Sequence, residues 1–272
     1  MLLESWLPEG RQHMAEVFTD SSDSRFLVRP GLKLTATGCP STYTLGLWCK
    51  NMMMLRAWKT DARYKDVQWF FRAMDDTFVH LENLMWLTQQ YDPNQPIVIG
   101  EKVCYWSGLM YPDGGPGFVV SRKFVEMWSE ETFNMTLETH EGETIDDVMW
   151  GQLLEHMNVK LIHYPGFQHA ELTNKKKENQ YRYFIRHARG PWPLTFRPIA
   201  VHQGVRGGLE FLPKLTYDLH QIDYDNVHPN AVSAAECDCG PRGEVHGRCS
   251  YAPYYPPTGN GDMSDYGPGP WL

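Results

Sequence analysis

Two adjacent carboxylates follow an apolar segment of the chain. Residues 67–73 have the length and composition of a buried strand, and Asp75 and Asp76 come just after it. Two like charges at the end of a buried strand are costly unless a positive group lies beside them. Mg²⁺ or Mn²⁺ would compensate them and could also hold the phosphates of a nucleotide diphosphate. The alternative is that both carboxylates lie in solvent and cap the helix predicted over residues 81–88.

A histidine lies at the end of a second apolar segment. Residues 199–201 are a predicted strand that runs directly into His202. A neutral imidazole is a ligand that Mn²⁺ accepts, so His202 could complete a metal site with the two aspartates. His202 is one of 11 histidines in the chain, and a purely structural role is the alternative.

A second acidic pair lies at a predicted helix start. Residues 143–147 read Glu-Thr-Ile-Asp-Asp, and an apolar face with helical spacing follows them. Asp147 could act as a general base that deprotonates an attacking hydroxyl, if the fold holds it at the mouth of a site. Thr144 and Asp147 also match a capping box, which would make Asp147 a structural residue.

A glycine-rich turn precedes one of the predicted helices. Residues 114–118 read Gly-Gly-Pro-Gly-Phe, which lacks both the Lys-Ser/Thr ending of a P-loop and the G-x-G-x-x-G spacing. Such a turn instead predicts close approach of the backbone to a ligand, or tight helix packing.

The elements that must position these residues predict an α/β domain. Apolar strand candidates at residues 97–99 and 159–162 alternate with helices that begin near Ser121 and Thr144. We place this domain at residues 1–225 and a tail at residues 226–272. The tail ends in a Pro-, Gly- and Tyr-rich stretch, which predicts mostly irregular structure.

Three of the six cysteines lie in the tail, where they allow two interpretations. Cys237, Cys239, His246 and Cys249 could bind zinc, although their spacing is not a common finger pattern. Disulfides are the alternative that we favour if the protein is secreted. One Asn-X-Thr sequon, at residues 134–136, is compatible with glycosylation.

Charge and hydropathy exclude several classes of function. The formal net charge is −8, which argues against binding to nucleic acid or anionic membranes through a positive field. No apolar run of about 18 residues is present, so the sequence predicts no transmembrane helix in this chain. The first residues also lack the basic start and the long apolar stretch of a signal peptide.

Six segments, in order along residues 2–225, resemble the Fringe and core 1 β1,3-galactosyltransferase group of glycosyltransferase family 31. They are LLESWLP with VFTDSSD, TGCPSTYTLGLWCK, WFFRAMDDTFVHLENLMWL, GGPGFVVSRKF, TIDDVMWGQLL and PIAVHQG. The resemblance implies a GT-A-type fold, with a mixed central sheet flanked by helices. It also implies inverting transfer of galactose or N-acetylglucosamine from a UDP donor to a hydroxyl of a glycan or glycoprotein, giving a β1,3 linkage.

The same resemblance implies roles for individual residues. Asp76 and His202 correspond to the metal ligands, and Mn²⁺ is the implied ion. Asp147 corresponds to the catalytic base. Asp20, Asp75 and Gly115 fall in the segments that bind the donor. The cysteine-bracketed segment implies a disulfide between Cys39 and Cys49.

The sequence departs from the family pattern at two places. Met74 stands where the family commonly has a third consecutive acid. The chain also begins at the segment that resembles the first helix of Fringe, without the strand before it. We therefore expect upstream sequence to encode that strand, a stem and an apolar anchor, as in a type II membrane protein of the Golgi or secretory pathway. The alternative is a non-catalytic relative that binds glycans or proteins.

Overall fold

The computed structural model describes residues 7, 14–20, 32–42, 45–105, 108–138, 146–164, 166–168, 199–202, 238–239, 245–246 and 250–251. The helices in this part of the chain are α1 (Leu45–Thr60), α2 (Leu81–Thr88), α3 (Arg122–Met127), α4 (Glu130–Glu138) and α5 (Asp146–His156). The strands before residue 226 are β1 (Glu16–Thr19), β2 (Lys33–Ala36), β3 (Trp69–Arg72), β4 (Thr77–Val79), β5 (Ile97–Gly100), β6 (Lys102–Cys104), β7 (Met110–Pro112), β8 (Phe118–Ser121), β9 (Lys160–His163), β10 (Phe167–Gln168) and β11 (Ala200–His202). The tail contributes β12 (Asp238–Cys239), β13 (Val245–His246) and β14 (Ser250–Tyr251). The chain is therefore mixed α/β, as the sequence predicts.

The largest sheet has four strands in the order β3-β8-β5-β9. Strand β8 pairs antiparallel with both β3 and β5, whereas β5 and β9 are parallel. Strands β5 and β8 read as continuous apolar runs because both faces of this sheet are covered. Val98 and Val120 lie in the core on one face, while Ile99 and Val119 lie in the core on the other.

Aromatic rings fill the larger of these two cores. Trp150 of α5 is fully buried and makes edge-on contacts with Phe118 at 4.8 Å and with Trp48 of α1 at 6.3 Å between ring centroids. Phe133 of α4 stacks on Trp48 at 4.8 Å. These ring contacts fix helices α1, α4 and α5 against one another and against β8, so packing sets the position of α5 in the domain.

A second sheet has the order β10-β11-β4. Strand β4 pairs antiparallel with β11, and this register places Thr77 opposite His202. The sequence predicted a direct transition from the acidic turn to helix α2, so β4 was missed. His80 is the N-cap of α2, since its Nδ1 accepts the N–H of Asn83 at 3.3 Å. The hypothesis that Asp75 and Asp76 cap this helix is therefore wrong.

The remaining predicted elements appear with small shifts. The predicted strands 97–99, 159–162 and 199–201 correspond to β5, β9 and β11, and Ser121 caps α3. On α2, Leu84 is buried but Met85 is 45% exposed, because Leu87 rather than Met85 faces the core. Thr144 lies outside the described residues, so the capping box with Asp147 is not seen.

Two disulfides join distant segments. Cys39 is bonded to Cys49, which confirms the pairing implied by the family resemblance. Cys104, at the end of β6, is bonded to Cys239 of the tail. The zinc interpretation is therefore wrong for Cys239. Cys237 and Cys249 lie outside the described residues.

Part of the tail joins the domain as a strand. Strand β14 pairs parallel with β6, which itself pairs antiparallel with β7. The start of the segment predicted to be irregular, Tyr251, is therefore in a short strand. Residues 252–272 lie outside the described residues. The division of the chain at residue 225 stays a prediction. No helix in the described part of the chain is long and apolar enough to cross a bilayer.

Two glycines with positive φ give a matched test of the fold. Gly38 has φ +70 and open space at its Cβ position, whereas Gly117 has φ +81 and a Cβ there would strike the carbonyl oxygen of Arg72. We expect Gly38→Ala to lower the free energy of unfolding by about 1–2 kcal/mol through backbone strain alone. Gly117→Ala should cost clearly more, about 3 kcal/mol or above, because the clash adds to the same strain. Urea unfolding of the oxidised proteins measures both, and equal losses would contradict this packing.

Candidate functional site

The structure brings Asp76 and His202 together. Asp76 lies in the turn between β3 and β4, and His202 ends β11. Because β4 and β11 are paired, Oδ2 of Asp76 and Nε2 of His202 lie 3.2 Å apart. Their side chains are 14% and 18% exposed, so both donor atoms are near a solvent-accessible surface. The two residues that the sequence proposes as metal ligands are thus neighbours, although 126 positions separate them along the chain.

The donor atoms of this pair fit a hard or borderline divalent cation. Ligands bound at about 2.0–2.1 Å on adjacent corners of an octahedron lie roughly 3 Å apart, close to the separation of these two atoms. One carboxylate and one imidazole form a ligand set that Mn²⁺ accepts. The described residues contain no group of three or more His, Cys, Asp or Glu side chains placed to bind a metal. Further ligands would therefore have to be water and substrate oxygens.

The glycine-rich turn packs directly on His202. A Cβ added to Gly115 would lie 2.6 Å from Nδ1 of His202, so only glycine leaves room for the imidazole. The N–H of Gly115 donates to Oδ1 of Asp113 at 2.9 Å, and its carbonyl accepts the hydroxyl of Thr77 at 2.7 Å. The hydroxyl of Thr77 also accepts the N–H of Met74 at 3.1 Å. Gly115 and the acidic turn are therefore held together, and the predicted close approach of this glycine is to a side chain of the site.

A buried ion pair lies behind the turn. Arg72, the last residue of β3, is 2.5 Å from Oδ2 of Asp146 in α5, and both side chains are almost wholly buried. Asn51 of α1 donates to the same carboxylate oxygen at 3.0 Å. Nη1 of Arg72 donates to the carbonyl of Gly114 at 2.7 Å. This network joins a strand, two helices and the glycine-rich turn at one point.

Asp147 follows this ion pair in the first turn of α5. A Cβ at Gly114 would lie 2.0 Å from Oδ1 of Asp147 and 2.5 Å from Nη1 of Arg72, so the turn lies against both side chains. Burial raises the pKa of Asp147 well above its ordinary value, and the nearby charges of Asp146 and Asp113 raise it further. Arg72 and the backbone N–H of Gly114 oppose this rise. Asp147 is therefore a stronger base than an exposed carboxylate.

The two other predicted aspartates occupy different surroundings. Asp20 follows β1 and accepts the hydroxyl of Ser41 at 2.5 Å, with Nζ of Lys50 at 3.5 Å. The hydrogen bond from Ser41 is the main cause that lowers the pKa of Asp20. Ser41 and Lys50 are not residues of the predicted metal pair, so these contacts do not join Asp20 to Asp76 or His202. Asp75 is exposed on the turn beside Asp76, which leaves its carboxylate open to solvent.

Sequence reasoning missed the residues that support the site. Arg72 was read only as part of an apolar strand, and Asp113 and Asn51 were not singled out. A positive charge at the end of a buried strand, just before two acids, was the available signal for Arg72. Nothing local marks Asn51, because its partner Asp146 is 95 positions away.

Comparison with known proteins identifies the family. The family model described as Fringe-like matches residues 1–197. Glycoprotein-N-acetylgalactosamine 3-beta-galactosyltransferase 1 from Xenopus laevis is 34% identical over 98 residues, which cover 35% of this chain and 26% of that protein. Beta-1,3-glucosyltransferase from Mus musculus is 25% identical over 118 residues, covering 42% and 23% of the two chains.

A third relative points the same way. N-acetyllactosaminide beta-1,3-N-acetylglucosaminyltransferase 4 from Mus musculus is 30% identical over 113 residues, covering 35% of this chain and 31% of the relative. The matched part of the chain thus spans 23–31% of the length of these relatives, all of which are β1,3-glycosyltransferases by name. The match over residues 1–197 covers well over half of the sequence, so the chain belongs to the Fringe-like family.

Proposed function

We propose that this chain is the catalytic domain of an inverting glycosyltransferase that moves a hexose from a UDP donor to a hydroxyl of a glycan or glycoprotein. The observation that carries the proposal is the arrangement of three predicted residues around one glycine-rich turn. Gly115 contacts His202, which lies 3.2 Å from Asp76, and the preceding Gly114 contacts Asp147. The Fringe-like family and the names of its relatives support the same reaction class. A β1,3 linkage is proposed from those names.

Asp76 and His202 would hold a divalent cation, for which Mn²⁺ is our proposal. When bound, such an ion neutralises the charge that develops on a diphosphate leaving group. Asp75 is exposed next to Asp76, so its carboxylate could contact a donor that binds there. The third acid common in the family is absent, since position 74 is Met. This chain therefore supplies two side-chain ligands in its described part.

Asp147 would take the proton in the transfer step. The acceptor hydroxyl loses its proton to the Asp147 carboxylate as its oxygen attacks the anomeric carbon. The bond from that carbon to the UDP oxygen breaks, UDP departs with the electron pair, and the configuration inverts. Burial and the charges of Asp146 and Asp113 make the carboxylate more basic, which favours this role near neutral pH.

The proposal includes a fold and a compartment. The central mixed sheet covered on both faces is compatible with a GT-A-type fold. Two disulfides fit an oxidising compartment, so the secretory pathway and the Golgi are the proposed location. For the donor sugar we retain galactose and N-acetylglucosamine, and the similarity to a glucosyltransferase adds glucose to the panel to be tested.

One observation favours a non-catalytic relative as the second candidate. In the acidic turn after β3, Asp76 contacts His202, whereas Asp75 is exposed and position 74 is Met where the family commonly has a third acid. A glycan- or protein-binding module would need neither metal nor donor nucleotide. Turnover separates the two candidates: an enzyme releases UDP from a UDP-sugar when a glycan acceptor is added, and a binding module does not.

Substitution of the proposed base tests its role. Asp147→Asn should reduce acceptor-dependent UDP release at least 100-fold, because the amide cannot take the proton. The assay is UDP release from UDP-galactose, UDP-N-acetylglucosamine and UDP-glucose with a panel of glycan acceptors. Unchanged release by the variant on the active donor would contradict the assignment of Asp147.

The same variant has an independent readout in stability. Because folding raises the pKa of Asp147, ionised Asp147 destabilises the folded state, and stability is lost as pH rises from the unfolded pKa through the folded one. Asparagine removes that charge. We expect Asp147→Asn to be more stable than wild type at pH 7, with the difference vanishing at about pH 3, below the unfolded pKa. Urea midpoints measured at both pH values check this sign, and a variant less stable at pH 7 would contradict it.

Gly115→Ala tests the packing of the turn against His202. The added Cβ must displace the imidazole, so the Mn²⁺ concentration for half-maximal UDP release should rise roughly tenfold or more. Gly100→Ala is the matched control, since its Cβ would lie 2.8 Å from Cβ of Phe118, in the core rather than at the site. It should lower stability and leave the metal requirement unchanged. Equal metal requirements in both variants would show that Gly115 has no role at the metal.

A further inference from the structure

The sequon at Asn134 lies on helix α4, on the far side of the helix from its core contacts. Asn134 and Met135 are exposed, and Met135 is 42% accessible. Phe133 and Thr136 point inward, with Phe133 stacked on Trp48 of α1. Residues three apart share a helix face, so Phe133 and Thr136 lie together on the buried face, and the two residues between them lie on the other side of the helix. The amide of Asn134 therefore faces solvent.

The third residue of the sequon has a different environment. Thr136 is wholly buried, and its hydroxyl donates to the carbonyl of Thr132 at 3.0 Å. The threonine hydroxyl is part of what the glycan-transferring enzyme recognises in Asn-X-Thr. In the folded chain that hydroxyl is out of reach, although the asparagine itself is not.

Two structural facts bear on whether the chain meets that enzyme. The disulfides Cys39–Cys49 and Cys104–Cys239 fit an oxidising compartment, and N-linked glycans are added in such a compartment. The chain has one Asn-X-Ser/Thr sequon in all 272 residues, so any N-linked glycan must be at this position.

We propose that Asn134 is an N-glycosylation site that is modified before helix α4 packs onto the domain. Once attached, the glycan projects from the exposed face of α4 and leaves the contacts of Phe133 and Thr136 intact. It also lies beside the exposed side chain of Met135, where a bulky polar group improves solubility. This inference rests on the exposure of one face of α4 and on the disulfides, and it does not depend on transferase activity.

The first experiment measures the glycan directly. The full chain is directed into the endoplasmic reticulum of cultured cells by a cleavable signal peptide, and signal cleavage verifies its entry. We expect one glycosylated species whose slower migration is reversed by peptide N-glycosidase. Wild type that migrates as Asn134→Gln does, with or without the glycosidase, would overturn the proposal.

Two variants at Thr136 distinguish loss of the sequon from disruption of helix α4. Thr136→Ser keeps the hydroxyl and should remain glycosylated, whereas Thr136→Val keeps the branched shape of the buried side chain and should not. Both are expected to give the same circular dichroism spectrum as wild type. A glycan that persists in Thr136→Val would place the modification elsewhere and contradict the assignment.

The order of events has its own test. Unglycosylated wild-type chain is purified with both disulfides formed and is incubated with oligosaccharyltransferase and lipid-linked oligosaccharide. A parallel sample is first reduced and unfolded. We expect modification of the unfolded sample alone, because folding buries the Thr136 hydroxyl. Equal modification of both samples would overturn the claim that glycosylation precedes packing of α4.

Discussion

The geometry of the site depends on the contacts of the buried Arg72 guanidinium with Asp146 and with the carbonyl of Gly114. A charge at this depth is tolerated only when it is paired and its donors are satisfied. Arg72 meets both conditions through Asp146 on α5 and the carbonyl of Gly114. The end of β3, the start of α5 and the glycine-rich turn must therefore keep one relative position. The acidic turn that carries Asp76 begins directly after Arg72, so its position depends on the same contact.

The same arrangement explains why two adjacent aspartates have different properties. Asp146 forms the ion pair with Arg72 and accepts a hydrogen bond from Asn51. Asp147 lies beside this pair, where burial and two neighbouring acids raise its pKa. Asp146 thus pairs with the guanidinium of Arg72, and the neighbouring Asp147 remains the more basic carboxylate. The ionised Asp147 lowers the free energy of unfolding, and such a loss of stability is common where side chains are arranged for chemistry.

Much of this could be predicted from sequence, because the signals are local. Apolar runs indicated β5, β9 and β11, and the acids after residue 73 indicated a turn. The proximity of Asp76 and His202 followed from the family resemblance, and the pairing of β4 with β11 is its physical cause. Strand β4 itself was missed, since three residues between an acidic turn and a helix carry too short a pattern. Asn51 was missed because its partner Asp146 is 95 positions away. Arg72 was missed although its charge at the end of a buried strand, shortly before two acids, was a local signal.

We propose that Asp76 and His202 are the side-chain ligands of a metal-dependent site for a nucleotide diphosphate. Calorimetric titration of UDP into the full chain, with Mn²⁺ and then with a chelator, tests it without knowledge of the acceptor. The account predicts saturable binding in the presence of Mn²⁺ that the chelator abolishes. Absence of binding in both conditions, or equal binding in both, would contradict it.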